Sequence, residues 1–358
     1  MSNFIKFHIF NTYITIKHYL NGPPRPSWDL KFHLTWAMLK SALEIRHTKT
    51  IEQAQKDFSL LGLTPADVWK DLKDDGIISE WVQNPNDGWE NREIRKTILT
   101  LAKKTNARVL VINYRLAPQN QFPAALQDAD SDLTSCAGII GLSPWVDLTQ
   151  STPSVLKNDC IDYVPKTVAE KAAALTAKIK NQNLGPKIWH DSFDRPNGRF
   201  QLYAPNEALA IPYVSPMLAE SLCNFPPLLL TIGDDERLRD KTIYFAHRSS
   251  EPTKYKGPSY NAGKFEKSPF QTPTNTTLEI YEDMPHVFQF MEHASTEKSY
   301  ERMAEFIDRV TNSLNESLLP SSYNYISAKG EISPSLKEYH KEVLKWEKIG
   351  ILPSNAQN

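Results

Sequence analysis

Glycine is scarce in this chain: 13 residues of 358, beside 25 prolines, about half the ~7% of an average protein. No two glycines are adjacent, or two, four or five apart. That spacing excludes a G-x-S-x-G nucleophile elbow and an HGGG oxyanion loop. It also excludes a Walker A loop and a dinucleotide-binding GxGxxG. Cysteine is nearly absent, with only Cys136, Cys160 and Cys223. An odd, sparse set is no disulfide framework, and no Cys or His pair has metal-ligand spacing. All three cysteines therefore read as buried small side chains, and neither a metal nor an organic cofactor is implied. Formal net charge is −1, so no nucleic acid or other polyanion is expected as a partner. No apolar run approaches the ~18–20 residues of a membrane-spanning helix.

What is present begins with "FIKFHIFNTYITIKHYL", which lacks the continuous apolar core and small-residue cleavage site of a signal peptide. On a helix, Ile5, Ile9, Ile16 and Leu20 share one face. That face either packs on the domain or meets a membrane surface. The expected location is thus cytoplasmic, with residues 4–20 available for peripheral contact with an internal membrane. "NGPPRPSW" (21–28) is a proline-rich break, and residues 1–28 read as an N-terminal arm. Residues 29–46 read as an amphipathic helix capped by Asp29, with Leu30, Leu34, Met38 and Leu39 at helical spacing. Further helices are expected over 51–62, 91–106, 165–183, 241–250 and 296–314. Residues 84–88 are a turn.

Strands are expected over 76–83, 107–114, 137–145, 226–235 and 277–283. Several are continuous apolar runs, the pattern of parallel strands covered on both faces. Alternation of such strands with helices predicts an α/β fold with a mostly parallel sheet. A single domain is expected over 29–315, with cap-like segments at 29–61 and 153–215. Residues 316–358 read as a C-terminal extension of loop and helix.

Four motifs occur in order: "YRLAPQNQFPAALQDA", "GLSPWVDLT", "PPLLLTIGDDERLRD" and "YEDMPHVFQF". Together they resemble the hormone-sensitive-lipase-like family of α/β hydrolases. "GPPRPSWDLKFHL" and "YAPNEALAIPYVSPMLAESL" are similar to its fungal branch, which includes steryl acetyl hydrolases. The resemblance covers about residues 20–315. It implies an α/β-hydrolase sheet and ester hydrolysis through an acyl-enzyme, with a serine nucleophile, a histidine base, an orienting carboxylate and a backbone oxyanion hole. It places the base at His286, in the "MPH" turn, and the acid at Glu236, three residues after Gly233. Asp235 is the rival acid. Asp240 matches the family's second acidic position, where it supports the loop or caps the following helix.

The nucleophile has no counterpart. In the family a strand, a Gly-Asp-Ser-Ala-Gly-Gly turn and a helix stand between the "FPAAL" helix and the "SPWVDL" strand. Here seven residues, "DSDLTSC", separate Ala129 from Ala137. At about 1.5 Å per helical residue and 3.3 Å per strand residue that unit needs several tens of residues. Ser131 and Ser135 lie in the gap without flanking glycines and read as linker serines. Ser143 reads as a structural serine inside its strand. The HGG strand is missing as well, because "EWVQNPNDGWENREIRKTIL" runs directly from one strand into the next helix. Both interruptions are clean and their flanks intact, as skipped exons would leave them. The strands at 107–114 and 137–143 are then expected either to pair directly or to leave an incomplete sheet with exposed edges. Two functions follow: an ester hydrolase of hydrophobic substrates that is inactive as written, or a non-catalytic pseudo-hydrolase that binds an apolar ligand or a protein partner.

Overall fold

The computed structural model describes residues 3–47, 79–82, 92–106, 109–112, 136–148, 152–158, 160–164, 203–204, 208–209, 211–255, 269–312, 320–335, 340–341 and 344. The helices expected at 51–62 and 165–183, the turn at 84–88, Ser131 and Ser135, and nearly all of the helix expected at 335–350 lie outside these residues.

Helix α1 (Asn3–Asn21) leads through the proline-rich break into α2 (Leu30–His47). Asp29 caps α2 by accepting the amide of Phe32 at 2.7 Å, the role its short carboxylate suits. The buried stripe of α2 is Phe32, His33 and Ala37, whereas Met38 faces outward. Of the expected stripe of Leu30, Leu34, Met38 and Leu39, Leu39 packs on the core beside His286, but the stripe is rotated, because the aromatic Trp28 and Phe32 anchor the helix there. Strand β1 (Ser79–Val82), α3 (Arg92–Thr105) and β2 (Val109–Ile112) follow. Next come β3 (Ile139–Leu142), a single turn α4 (Ser154–Lys157) and β4 (Leu228–Gly233). The chain continues through α5 (Arg239–Ser250), β5 (Thr276–Tyr281), α6 (Ala294–Thr311), β6 (Ser322–Ile326) and β7 (Ile332–Pro334).

The strands form two sheets. A five-stranded sheet runs β3-β4-β5-β6-β7, parallel except for the last pair. β4 is buried along its whole length, as its run of leucines requires when helices cover both faces. α5 packs on one face with Leu230, Ile232, Ile243 and Tyr244. α6 lies against Leu229 through Tyr300, Met303 and Phe306, and Leu101 of α3 joins them. Thr97 of α3 and Tyr300 of α6 share a buried hydroxyl–hydroxyl bond of 2.9 Å.

β1 and β2 form a separate antiparallel pair. Among the described residues β2 does not hydrogen-bond β3, whose one strand partner there is β4, and Ile139 is 36% exposed. The segment read as a C-terminal extension supplies two strands: β6 pairs with β5 over Thr277–Tyr281. Its alternating "SYNYI" carries no apolar run, and the pairing comes from the neighbouring strand rather than from local preference. Cys136 and Cys160 are exposed and only Cys223 is buried, which corrects the expectation for the first two.

Candidate active site

β4 ends at Gly233, and the chain turns sharply so that Glu236 points back under the strand end. A Cβ on Gly233 would stand 2.0 Å from the carbonyl oxygen of Met284. Only glycine lets the acid-bearing turn lie against the Met284–Pro285 backbone. Glu236 is fully buried. Its Oε1 accepts the Gly233 amide at 2.6 Å and the Ser143 hydroxyl at 2.5 Å. Its Oε2 lies 3.2 Å from Nδ1 of His286. The two candidates separated by 50 residues in sequence thus form a hydrogen-bonded pair.

Burial pushes the Glu236 carboxyl up to about 7, against the stabilising hydrogen bond and charge of His286. Burial also opposes the charged form of His286, but the hydrogen bond and charge of Glu236 outweigh it and raise the imidazole above its ordinary value. The His286 side chain keeps 20% exposure while that of Glu236 has none. The imidazole thus faces outward and the carboxyl lies beneath it. Tyr163 meets the His286 ring edge-on at 5.7 Å between centroids.

Two residues at the site hold left-handed backbone without being glycine: Ser143 (φ 45°) and Val287 (φ 42°). For a β-branched residue this is a true outlier, and each costs roughly 1–2 kcal/mol. They touch: the Val287 amide donates to Ser143 Oγ at 2.9 Å. Ser143 lies one residue past the end of β3 rather than within the strand.

Asp235 and Asp240 are held elsewhere. Both oxygens of Asp235 are bound by the guanidinium of Arg25, through Nε at 2.6 Å and through Nη2. Asp240 sits in the first turn of α5, but its Oδ2 accepts the amide of Ser154, the first residue of α4, at 2.7 Å. It therefore braces α4 onto α5 and does not cap its own helix. Two residues that sequence reasoning missed complete the surroundings. Asp162 is fully buried and accepts the amides of Arg237 at 2.7 Å and of His286 at 3.3 Å. Arg25, inside the proline-rich break, is the partner of Asp235. Neither has a local signature, because each acts on a loop far away in sequence. The two cap-like segments meet beside this site, where Trp36 Nε1 donates to the Ile161 carbonyl at 2.6 Å.

Residues 89–136 match the sequence profile of the α/β-hydrolase fold. That stretch holds α3, β2 and the motif that follows them. The fold is that of an α/β hydrolase. A protein of Acanthamoeba polyphaga mimivirus that carries the name alpha/beta hydrolase is 25% identical over 185 residues, covering 43% of this chain and 50% of that protein. The chain spans about half the length of that relative. Among solved structures, an esterase/lipase from an uncultured bacterium is similar at 19% identity and a TM-score of 0.44, over 84% of this chain and 98% of that one. An esterase from the bacterial hormone-sensitive lipase family is similar at 20% identity and a TM-score of 0.44, over 76% of this chain and 96% of that one. In this α/β-hydrolase fold, Glu236 and His286 follow two adjacent parallel strands, β4 and β5, at the same end of the sheet. Among the described residues no helix is long and apolar enough to cross a membrane.

Proposed function

We propose that this chain presents the acid–base half of an ester-hydrolase triad, Glu236 and His286, without the nucleophile that would complete it. The observation that carries this reading is the 3.2 Å contact between buried Glu236 Oε2 and His286 Nδ1. A carboxylate on Nδ1 sets the imidazole to accept a proton at Nε2, the general-base arrangement of acyl-transfer enzymes. The sequence supplies no glycine-flanked serine for that proton to come from. Ser143 is hydrogen-bonded to Glu236 alone of the pair, and its hydroxyl donates to that carboxyl and not to His286. The motifs set the chain beside the hormone-sensitive-lipase-like esterases, and within them beside the fungal steryl acetyl hydrolases. The ligand class is then a hydrophobic ester or another apolar molecule. Loss of both nucleophile and oxyanion donors removes most transition-state stabilisation, so binding without turnover is the activity this reading favours.

A fluorophosphonate probe tests it on the folded full chain. No labelling is expected, and no p-nitrophenyl acetate hydrolysis that His286→Ala abolishes. Covalent labelling at any serine would sink the reading.

A further inference from the structure

Helix α1 carries apolar side chains on two opposite faces. One face is turned inward: Ile14 is buried, and His18 Nδ1 lies 3.2 Å from Nδ1 of buried His33 in α2. The other face consists of Ile9, Tyr13, Ile16 and Leu20, at intervals of four, three and four residues, which places them in one stripe. They are 57%, 60%, 52% and 79% exposed, and Tyr19 beside them is more than two-thirds exposed. Such a stripe is unusual on a water-facing helix, whose outer face is normally polar.

The chemistry of the helix selects what covers the stripe. From Asn3 to Asn21 it contains Lys6 and Lys17 and no aspartate or glutamate. A second copy of α1 laid against the first would bring lysines together with no carboxylate to pair them, the reverse of a coiled-coil flank. Cationic residues beside an apolar stripe suit an anionic lipid surface. Tyr13 and Tyr19 add side chains with an apolar ring and a polar tip, which settle at headgroup level. At 19 residues α1 is about 28 Å long. No helix among the described residues meets the requirement for a membrane span, so α1 would lie in the plane of the surface.

We infer that the outward stripe of α1 is an interfacial anchor for anionic lipid membranes. The anchor holds the domain through the α1–α2 contact and is independent of the reading of Glu236 and His286.

Flotation of the purified full chain with vesicles tests the inference, using phosphatidylcholine alone and phosphatidylcholine mixed with phosphatidylserine. The chain is expected to float with the anionic vesicles and to be released as salt rises. The double variant Ile16→Glu, Leu20→Glu is expected to lower the bound fraction at least about tenfold, with an unchanged thermal midpoint because both positions face water. Absence of flotation with either vesicle overturns the inference, as does a double variant that binds like the parent. Equal binding to both vesicles overturns the choice of an anionic surface. A dimer seen by light scattering that the double variant dissolves, without vesicle binding, gives the face to a second copy and overturns it too.

Discussion

One hydroxyl ties the two loops of the candidate site together: Ser143 Oγ donates to Glu236 Oε1 at 2.5 Å and accepts the Val287 amide at 2.9 Å. Ser143 and Val287 both sit in left-handed backbone, and such strain persists only where surrounding bonds hold it. Ser143→Ala leaves a buried carboxylate oxygen and an amide short of a partner, at a cost of about 1–3 kcal/mol. Ser143→Gly loses the same bonds but relieves the positive φ, so it is expected to cost less than Ser143→Ala. Urea denaturation of both variants checks this. A glycine variant that is the less stable of the two would show that the backbone is unstrained there.

Gly233 is set by contact rather than by dihedral. Its missing side chain is what allows Met284 O to approach a Cβ position to 2.0 Å. Gly233→Ala must push the acid turn away from the histidine loop. The expected loss is at least about 2 kcal/mol, as for overpacking of a rigid neighbour. The nitrogen shifts of the His286 ring are expected to move toward those of an imidazole without a carboxylate on Nδ1. Unchanged shifts would mean that the loops give way elsewhere.

The legible part of this molecule is its local pattern. Apolar runs placed β3, β4 and β5, whereas Glu236 and His286 were legible only through the resemblance of their motifs to a known hydrolase family. Strand β6 was not legible, because "SYNYI" gains its strand character only by pairing with β5. Arg25 and Asp162 were not legible either, since they act across 210 and 124 residues of chain. The interruption between Ala129 and Ala137 was visible as a length. That β2 pairs with β1 and, among the described residues, not with β3 is a matter of three-dimensional reach, which composition does not carry.

Two buried groups give the stability opposite dependences on pH. His340 is fully buried, with Nδ1 3.0 Å from His247 Nε2 and Nε2 2.9 Å from Ser335 Oγ. Burial and the neighbouring His247 and Arg239 hold it down to about 3, from an ordinary 6.5. As pH falls below 6.5 the unfolded chain takes a proton that folded His340 refuses. Its contribution is therefore complete above 6.5 and lost toward about 3. Glu236 is raised from 4.5 to about 7, so folding takes up a proton there and acidification from 7 to 4.5 stabilises. Between pH 4.5 and 6.5 the two nearly cancel. Glu236→Gln removes one side of the balance, and with it the partner that raises His286, so stability is expected to fall on acidification. His340→Leu is expected to show the opposite slope, with stability rising as pH falls. Denaturation midpoints at pH 4.5, 5.5 and 6.5 decide the matter, and parallel curves for parent and variants would refute it.

The edge of the five-stranded sheet gives the last prediction. β3 runs Ile139, Ile140, Gly141, Leu142, with no charge and no proline, and among the described residues only β4 pairs with it. Ile139 at its start is 36% exposed. An uncharged strand with a free row of amides and carbonyls is a template for another chain, and natural edges are usually blunted by a lysine or a bulge. The parent chain is therefore expected to aggregate at micromolar concentration before it unfolds. Ile139→Lys puts a charge on this side of β3 while Ile140 and Leu142 keep their contacts with α6. Light scattering during a slow temperature ramp is expected to show a later onset for the variant than for the parent, with little change in the circular-dichroism midpoint. Equal onsets would mean that other parts of the chain shield β3 or that aggregation begins at another surface.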